Sequence, residues 1–248
     1  MSELVHLEIA DQIATITLDS DHNRNALSKQ LVTELVAHLT TADADTESKA
    51  ILIRSAGTVF CSGADMAEAA AGGMATGATA VVALQRQIAT ADKPVVVELG
   101  GPVRAGGLGI VGAADMIIAA ESVTFQLTEV RLGLAAASIS VSLLPRFTDR
   151  AAADLFLTAR KFDAVEAVAV GLITRAVPDV DLTDEVARVL ADLVKGYPQG
   201  LRESKRILNH DLVARIDALG PDLAVKSAAL FGSDEAREAM TAFLNRGK

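Results

Sequence analysis

The stretch "DKPVVVELGGPVRAGGLGIVGAADMIIAAE", residues 92–121, decides how this chain is read. Val95–Leu99 is a run rich in β-branched residues and bounded by glycine, and Met116–Ala120 is a second apolar run; both have the length and composition of strands. Between them Gly107-Leu-Gly109-Ile-Val-Gly112 spells G-x-G-x-x-G. In a dinucleotide-binding unit those glycines form the turn directly after a strand, with an acidic residue some twenty positions on. Glu121 and Glu129 lie at roughly that distance, but the strand ends near Leu99 and "GGPVRA" separates it from Gly107. That spacing breaks the fingerprint. The segment reads instead as a helix whose glycines serve close packing.

Outward from this stretch, strand and helix signals alternate. "LVHLEI" and "QIATITL" (residues 4–9 and 12–18) alternate apolar and polar residues as a hairpin does. Leu27, Leu31, Val32, Leu35, Val36 and Leu39 carry helical spacing, with Asn25 as the expected cap. "KAILIRS" reads as a buried strand, "FCSGADMAEAA" as a loop entering a helix, "GATAVVALQRQIATAD" as a helix and "VTFQLTE" as a short strand. The glycines of "AEAAAGGMATGATA" predict a mobile surface loop. From residue 140 the chain turns helical, in segments 140–159, 163–173, 182–197, 200–212 and 221–247. This order predicts an α/β core over residues 1–190 and a C-terminal helical region over 191–248.

Composition sets outer limits. The 248 residues are 50% hydrophobic but only 3% aromatic, so small aliphatic side chains must fill the core. The net charge of −9 argues against general nucleic-acid binding and against an anionic membrane surface. A single cysteine rules out a disulfide framework and points to a reducing, cytoplasmic setting. The N-terminus lacks the basic start and apolar core of a signal peptide, and Asp115 interrupts the longest apolar run, so no membrane segment is expected.

Chemistry narrows to a few residues. A nucleophilic Cys61 would need a base, and none of His6, His22, His38 and His210 stands in a catalytic or metal-ligating pattern. Cys61 therefore reads as a small buried residue, and Asp115 as a capping or pairing group. Gly63-Ala64-Asp65 and Ala105-Gly106-Gly107 each stand between a strand and a helix. Small residues there expose backbone N–H groups, and two that converge make an oxyanion hole. Glu129, in the mostly apolar "VTFQLTEVRLGL", is either ion-paired, with Arg131 close by, or a working acid–base group. The residues alone do not choose between the two.

Six stretches in order resemble the crotonase superfamily, the enoyl-CoA hydratase/isomerase family. They are "ITLDSDHNRNALS", "VFCSGADM", the opening stretch, "FQLTEVRLGL", "LTARKFDAVEAVAVGLITRAVP" and "GSDEAREAMTAFLNR". The resemblance implies an α/β fold: a spiral of ββα units with a C-terminal helical trimerisation region, assembled as a trimer or a hexamer of paired trimers. It implies an acyl-CoA thioester as substrate, with coenzyme A part of that substrate and no separate cofactor. The N–H groups of Ala64 and Gly106 would hold the thioester oxygen, and Glu129 would be the acid–base residue. Arg24, Ala26 and the segment Cys61–Gly63–Ala64 with Asp65 would line the CoA site, and Gly107 and Gly109 the acyl site. Arg24, or Lys205 on a late helix, would meet the CoA phosphates.

One departure matters. Two-glutamate hydratases of the family carry their first glutamate where this chain has Gly109. "TEVRLGL" is similar to hydratases, whereas Gly109 is similar to single-glutamate isomerases. The resemblance therefore implies a 2-enoyl-CoA hydratase, with a 3,2-enoyl-CoA isomerase as the alternative and a non-catalytic acyl-CoA binder as a further one. "AAASIS" after the glutamate segment replaces the family's usual proline and glycines and alters the wall of the acyl pocket.

Overall fold

A computed structural model of the chain describes residues 2–70 and 74–245. The N-terminal hairpin forms as expected, with β1 (Val5–Ala10) antiparallel to β2 (Ile13–Leu18). Helix α1 (Lys29–Ala44) follows, capped by Ser28 rather than Asn25. Ser28 Oγ accepts from the N–H of Leu31 at 3.2 Å. Asn25 is instead a loop staple at φ 53°: its amide accepts from Ser20 N–H at 2.7 Å and donates to Val59 O at 2.9 Å. The side chain that caps is the one whose oxygen reaches the first free N–H of the helix.

Strand β3 (Ala50–Ser55) leads to helices α2 (Met66–Ala70) and α3 (Met74–Thr90). The stretch expected as a mobile loop is thus helical on both sides, and residues 71–73 lie outside the described residues. Next come β4 (Val95–Leu99), the two-residue β5 (Val103–Arg104), α4 (Gly107–Ala113), β6 (Met116–Ala120) and β7 (Thr124–Gln126). A 3-10 turn, Glu129–Leu132, precedes α5 (Ala137–Leu143) and α6 (Asp149–Thr158). The single segment expected over 140–159 is split at Pro145, which cannot donate to a continuing helix. The chain closes with β8 (Phe162–Asp163), α7 (Ala164–Ala169), β9 (Arg175–Val177), α8 (Leu182–Leu193), α9 (Pro198–Phe231) and α10 (Asp234–Asn245).

Two sheets organise this chain. The larger has the order β1-β2-β3-β4-β6-β9, parallel from β2 onward, and the smaller has the order β5-β7-β8. Cys61 bridges Val103 in parallel and so extends the smaller sheet by one position. Three successive turns, starting at β3, β4 and β6, each lay one segment in the large sheet, one in the small sheet and then a helix, which is the ββα spiral. Every side chain of β4 except Glu98 is buried, and Phe60 and Phe125 are the aromatic residues among the largest fully buried side chains. Among the described residues no helix is long and apolar enough to cross a membrane.

Two expectations for the helical tail change. Segments 200–212 and 221–247 were expected to part before Pro221, yet α9 runs 34 residues straight through it. Gly220 is the reason: a Cβ there would lie 2.7 Å from Val82 of α3, so intimate helix–helix contact carries the backbone across the missing donor. Lys205 does not face a ligand. It is 4% exposed, donates to the carbonyls of Ile88 and Lys93 at 2.9 Å and pairs with Asp115 at 2.8 Å. Asn209 Nδ2 donates to the other Asp115 oxygen at 2.8 Å. Asp115 is the pairing group expected, and together these residues clamp α9 to the sheet. Breaking the pair strands a buried carboxylate. Lys205→Met should destabilise the fold by about 3–5 kcal/mol in denaturant melts, and adding Asp115→Asn should recover part of that loss. An unchanged Lys205→Met melt would contradict the clamp.

Candidate functional site

The loop after β3 and the turn after β5 meet face to face. Gly63 sits at φ +98°, a conformation open mainly to glycine. Its carbonyl accepts from Leu27 N–H at 2.8 Å, while Ser62 N–H donates to Arg24 O at 3.1 Å. A Cβ on Gly63 would lie 2.9 Å from the Ala105 methyl and 3.6 Å from the nitrogen of Gly106. A Cβ on Gly106 would in turn lie 3.7 Å from the nitrogen of Ala64. The backbone nitrogens of Ala64 and Gly106 are thus brought together, and only small residues permit the approach. Among the described residues neither N–H meets an acceptor.

Glu129 joins them through sheet register. Strand β7 pairs in parallel with β5, Val103 opposite Phe125 and Arg104 opposite Gln126, and Ala105 N–H donates to Gln126 O at 2.9 Å. The chain therefore runs into Gly106 and into Glu129 from the same ends of neighbouring strands. Glu129 opens its 3-10 turn, is 9% exposed, and its Oε2 has no hydrogen-bond partner among the described residues. Burial pushes its carboxyl up to about 7. No ion pair links it to Arg131 among the described residues, so the ion-paired reading fails. A carboxyl that titrates near neutrality can both take and return a proton.

Gly133, at φ +67°, lets α10 settle on this turn: a Cβ there would meet Glu235 Cγ at 3.2 Å and the Ala236 nitrogen at 3.3 Å. Leu134, Ala236 and Met240 cluster beneath the contact, with Met66 against them. The C-terminal helix thus packs beside the Glu129 turn of its own chain.

The three glycines of G-x-G-x-x-G all answer to packing. A Cβ on Gly107 would lie 2.9 Å from Cys61 Sγ, one on Gly109 2.8 Å from Ile139 Cγ2, and one on Gly112 2.8 Å from Ser142 Oγ. The side chains of Cys61, Ile139 and Ser142 occupy the space that side chains of α4 would need. The dinucleotide reading fails on structure as it did on spacing, since α4 follows β5 of the small sheet.

The remaining expected residues divide. Cys61 is fully buried and its thiol is pushed up to about 12, so it carries no nucleophilic thiolate. Asp65 is committed to structure: Oδ1 accepts from Ala67 N–H at 2.9 Å and from Glu68 N–H at 3.1 Å, capping α2, while Oδ2 accepts from Asn23 Nδ2 at 3.0 Å. Arg24 is exposed at φ 58° beside the loop, and Ala26 is buried behind it. A cavity of about 300 Å³ lined by His22, Asn23, Ser28, Asp65 and Glu68 opens there. Gln85 and Ile139, both about 1% exposed, are neighbours of Gly109 that sequence reasoning missed. The available signal for Gln85 was an amide at an apolar position of an amphipathic helix.

This geometry has relatives. A family model described as enoyl-CoA hydratase/isomerase matches residues 8–248. The chain belongs to the enoyl-CoA hydratase/isomerase family. A crystal structure of an enoyl-CoA hydratase from Mycobacterium avium is 41% identical, with a TM-score of 0.92 over 99% of this chain and 98% of that one. A protein of Rhodobacter capsulatus named "Probable enoyl-CoA hydratase" is 32% identical over 98% of this chain and 95% of its own length. A second structure of this kind, an enoyl-CoA hydratase from Mycobacterium avium subsp. paratuberculosis, is 26% identical with a TM-score of 0.89, over 98% and 96% of the two chains. The fold is accordingly the crotonase fold.

The state of Glu129 has a consequence for stability. Below pH 4.5 the carboxyl is protonated in both folded and unfolded chains and costs nothing. As pH rises from there to about 7 the unfolded chain ionises first, so the folded state loses up to about 3 kcal/mol. Glu129→Gln removes that titration. Denaturant melts of the two proteins should coincide near pH 4.5 and separate as pH rises, with the variant the more stable at pH 8. A gap independent of pH would contradict the assignment.

Proposed function

We propose that the chain hydrates 2-enoyl-CoA thioesters, with Ala64 and Gly106 N–H groups holding the thioester oxygen and Glu129 as the single acid–base residue. The observation that carries the reading is the pairing of two closely approaching N–H groups that meet no acceptor among the described residues with a buried carboxyl whose Oε2 has no partner there. Two such donors stabilise a developing oxyanion by several kcal/mol. Water attacks C3 of the enoyl thioester, its proton passes to Glu129, and the electron pair of the double bond moves onto the thioester oxygen as an enolate. Glu129 then returns the proton to C2. Arg24, Ala26, Cys61, Gly63 and Asp65 belong to the wall of the CoA site through their backbone, with the Arg24 guanidinium toward the phosphates; Gly107 and Gly109 belong to the acyl side. The relatives named as hydratases support this choice among the family's reactions. Assembly as a homotrimer or a pair of trimers, in the cytoplasm, completes the proposal.

A second reading, 3,2-enoyl-CoA isomerisation, is favoured by Gly109, where a second carboxylate would stand in a two-glutamate hydratase. There Glu129 would take the C2 proton of a 3-enoyl thioester and deliver it to C4. Incubation with crotonyl-CoA in heavy-oxygen water separates the two. Hydration predicts label in the 3-hydroxyacyl product, lost in Glu129→Gln. Conversion of 3-enoyl-CoA to 2-enoyl-CoA with no labelled product would overturn it.

A further inference from the structure

Gly109 looks like a vacancy when read in sequence, a place where a carboxylate could return. Its surroundings are full. A Cβ added to it would stand 2.8 Å from Ile139 Cγ2, 3.2 Å from Gln85 Cδ and 3.5 Å from Gln85 Cγ. Cβ atoms do not approach that closely, so a neighbour would have to move. Ile139 is 1% exposed, and the methyl in question hangs directly on its β-carbon, with little freedom to swing aside. Gln85 is held from three sides. Its Nε2 donates to Val81 O at 3.1 Å and Ser138 O at 2.9 Å, and its Oε1 accepts from Ser142 Oγ at 2.6 Å. Both amide hydrogens and the amide oxygen are therefore engaged, and no donor remains to steady a second carboxylate. Ser142 also closes the next turn of α4, where a Cβ on Gly112 would lie 2.8 Å from its hydroxyl.

We propose that Ile139, locked in place by the Gln85–Ser142 pair, is a specificity-determining residue: it fills the space of any side chain at position 109 and so restricts the site to one acid–base carboxyl. The inference rests on the reading of Glu129 as that carboxyl. It makes Gly109 a requirement of α3 and α5 rather than a loss that one substitution could repair.

A substitution cycle tests it. Gly109→Ala adds only the Cβ. It should lower the melting temperature by about 5 °C or more, although alanine is the better helix former. In Gly109→Ala/Ile139→Ala the two losses should fall well short of additive, because removing Ile139 Cγ2 makes the room. Gly109→Ala melting at or above the parent, or strictly additive losses, would overturn the proposal. This arm needs no activity, so it stands even if the parent converts no enoyl thioester and the proposed function fails. The second arm reads specificity. In Gly109→Glu/Ile139→Ala the pH profile of kcat/KM for crotonyl-CoA hydration should show two ionisations where the parent shows one. A folded double variant that keeps the single ionisation would reduce Ile139 to packing and overturn its role in specificity.

Discussion

Helix α4 lies close on its neighbours because its glycines leave room for the side chains that face them. Gly107 rests on Cys61, Gly109 on Ile139 and Gln85, and Gly112 on Ser142. Contact at this range is possible only without a Cβ, and a close-packed interior turns it into a rigid position. The rest follows from where it puts α4. Gly106, at the head of the helix, faces Ala64 across a gap that Gly63 alone could border. Asp115, just past the end of the helix, accepts Lys205 and Asn209 and so fixes the longest helix to the sheet. The same three contacts leave position 109 without room for a functional group.

How much of this was legible in the sequence depends on what kind of signal each feature leaves. The alternation of strands and helices, the hairpin and the helical tail were readable, because periodicity and β-branched runs are local. The place of Glu129 in apolar surroundings was readable, and its lack of a partner was not, since Arg131 stood equally close in sequence. Ala64 and Gly106 offer backbone N–H groups, which no side chain announces; small residues between strand and helix marked the two turns, and the resemblance singled out these two positions within them. Lys205 sits in "RESKR", which reads as a solvated face, yet helical register turns this one lysine inward. Pro221 reads as a break, and the contact of Gly220 with Val82 overrides it. Ile139 and Gln85 meet Gly109 from 30 and 24 residues away, a relation that only the fold creates.

One buried carboxyl, Glu129, has an oxygen with no hydrogen-bond partner among the described residues. The other buried charged side chain among the described residues is compensated: Lys205 has Asp115. Glu129 is not, and an uncompensated acid at the end of a strand is a cost that packing alone does not explain. Its perturbation comes from desolvation, with a smaller opposing pull from its own backbone N–H. That places the group between acid and base at neutral pH, just past the strand that pairs with the one leading into Gly106. A 13C NMR titration of the glutamate carboxyls, with the Glu129 signal assigned by its absence from Glu129→Gln, tests this most directly. A midpoint near 7 is predicted; a midpoint near the ordinary value of 4.5 would contradict the account.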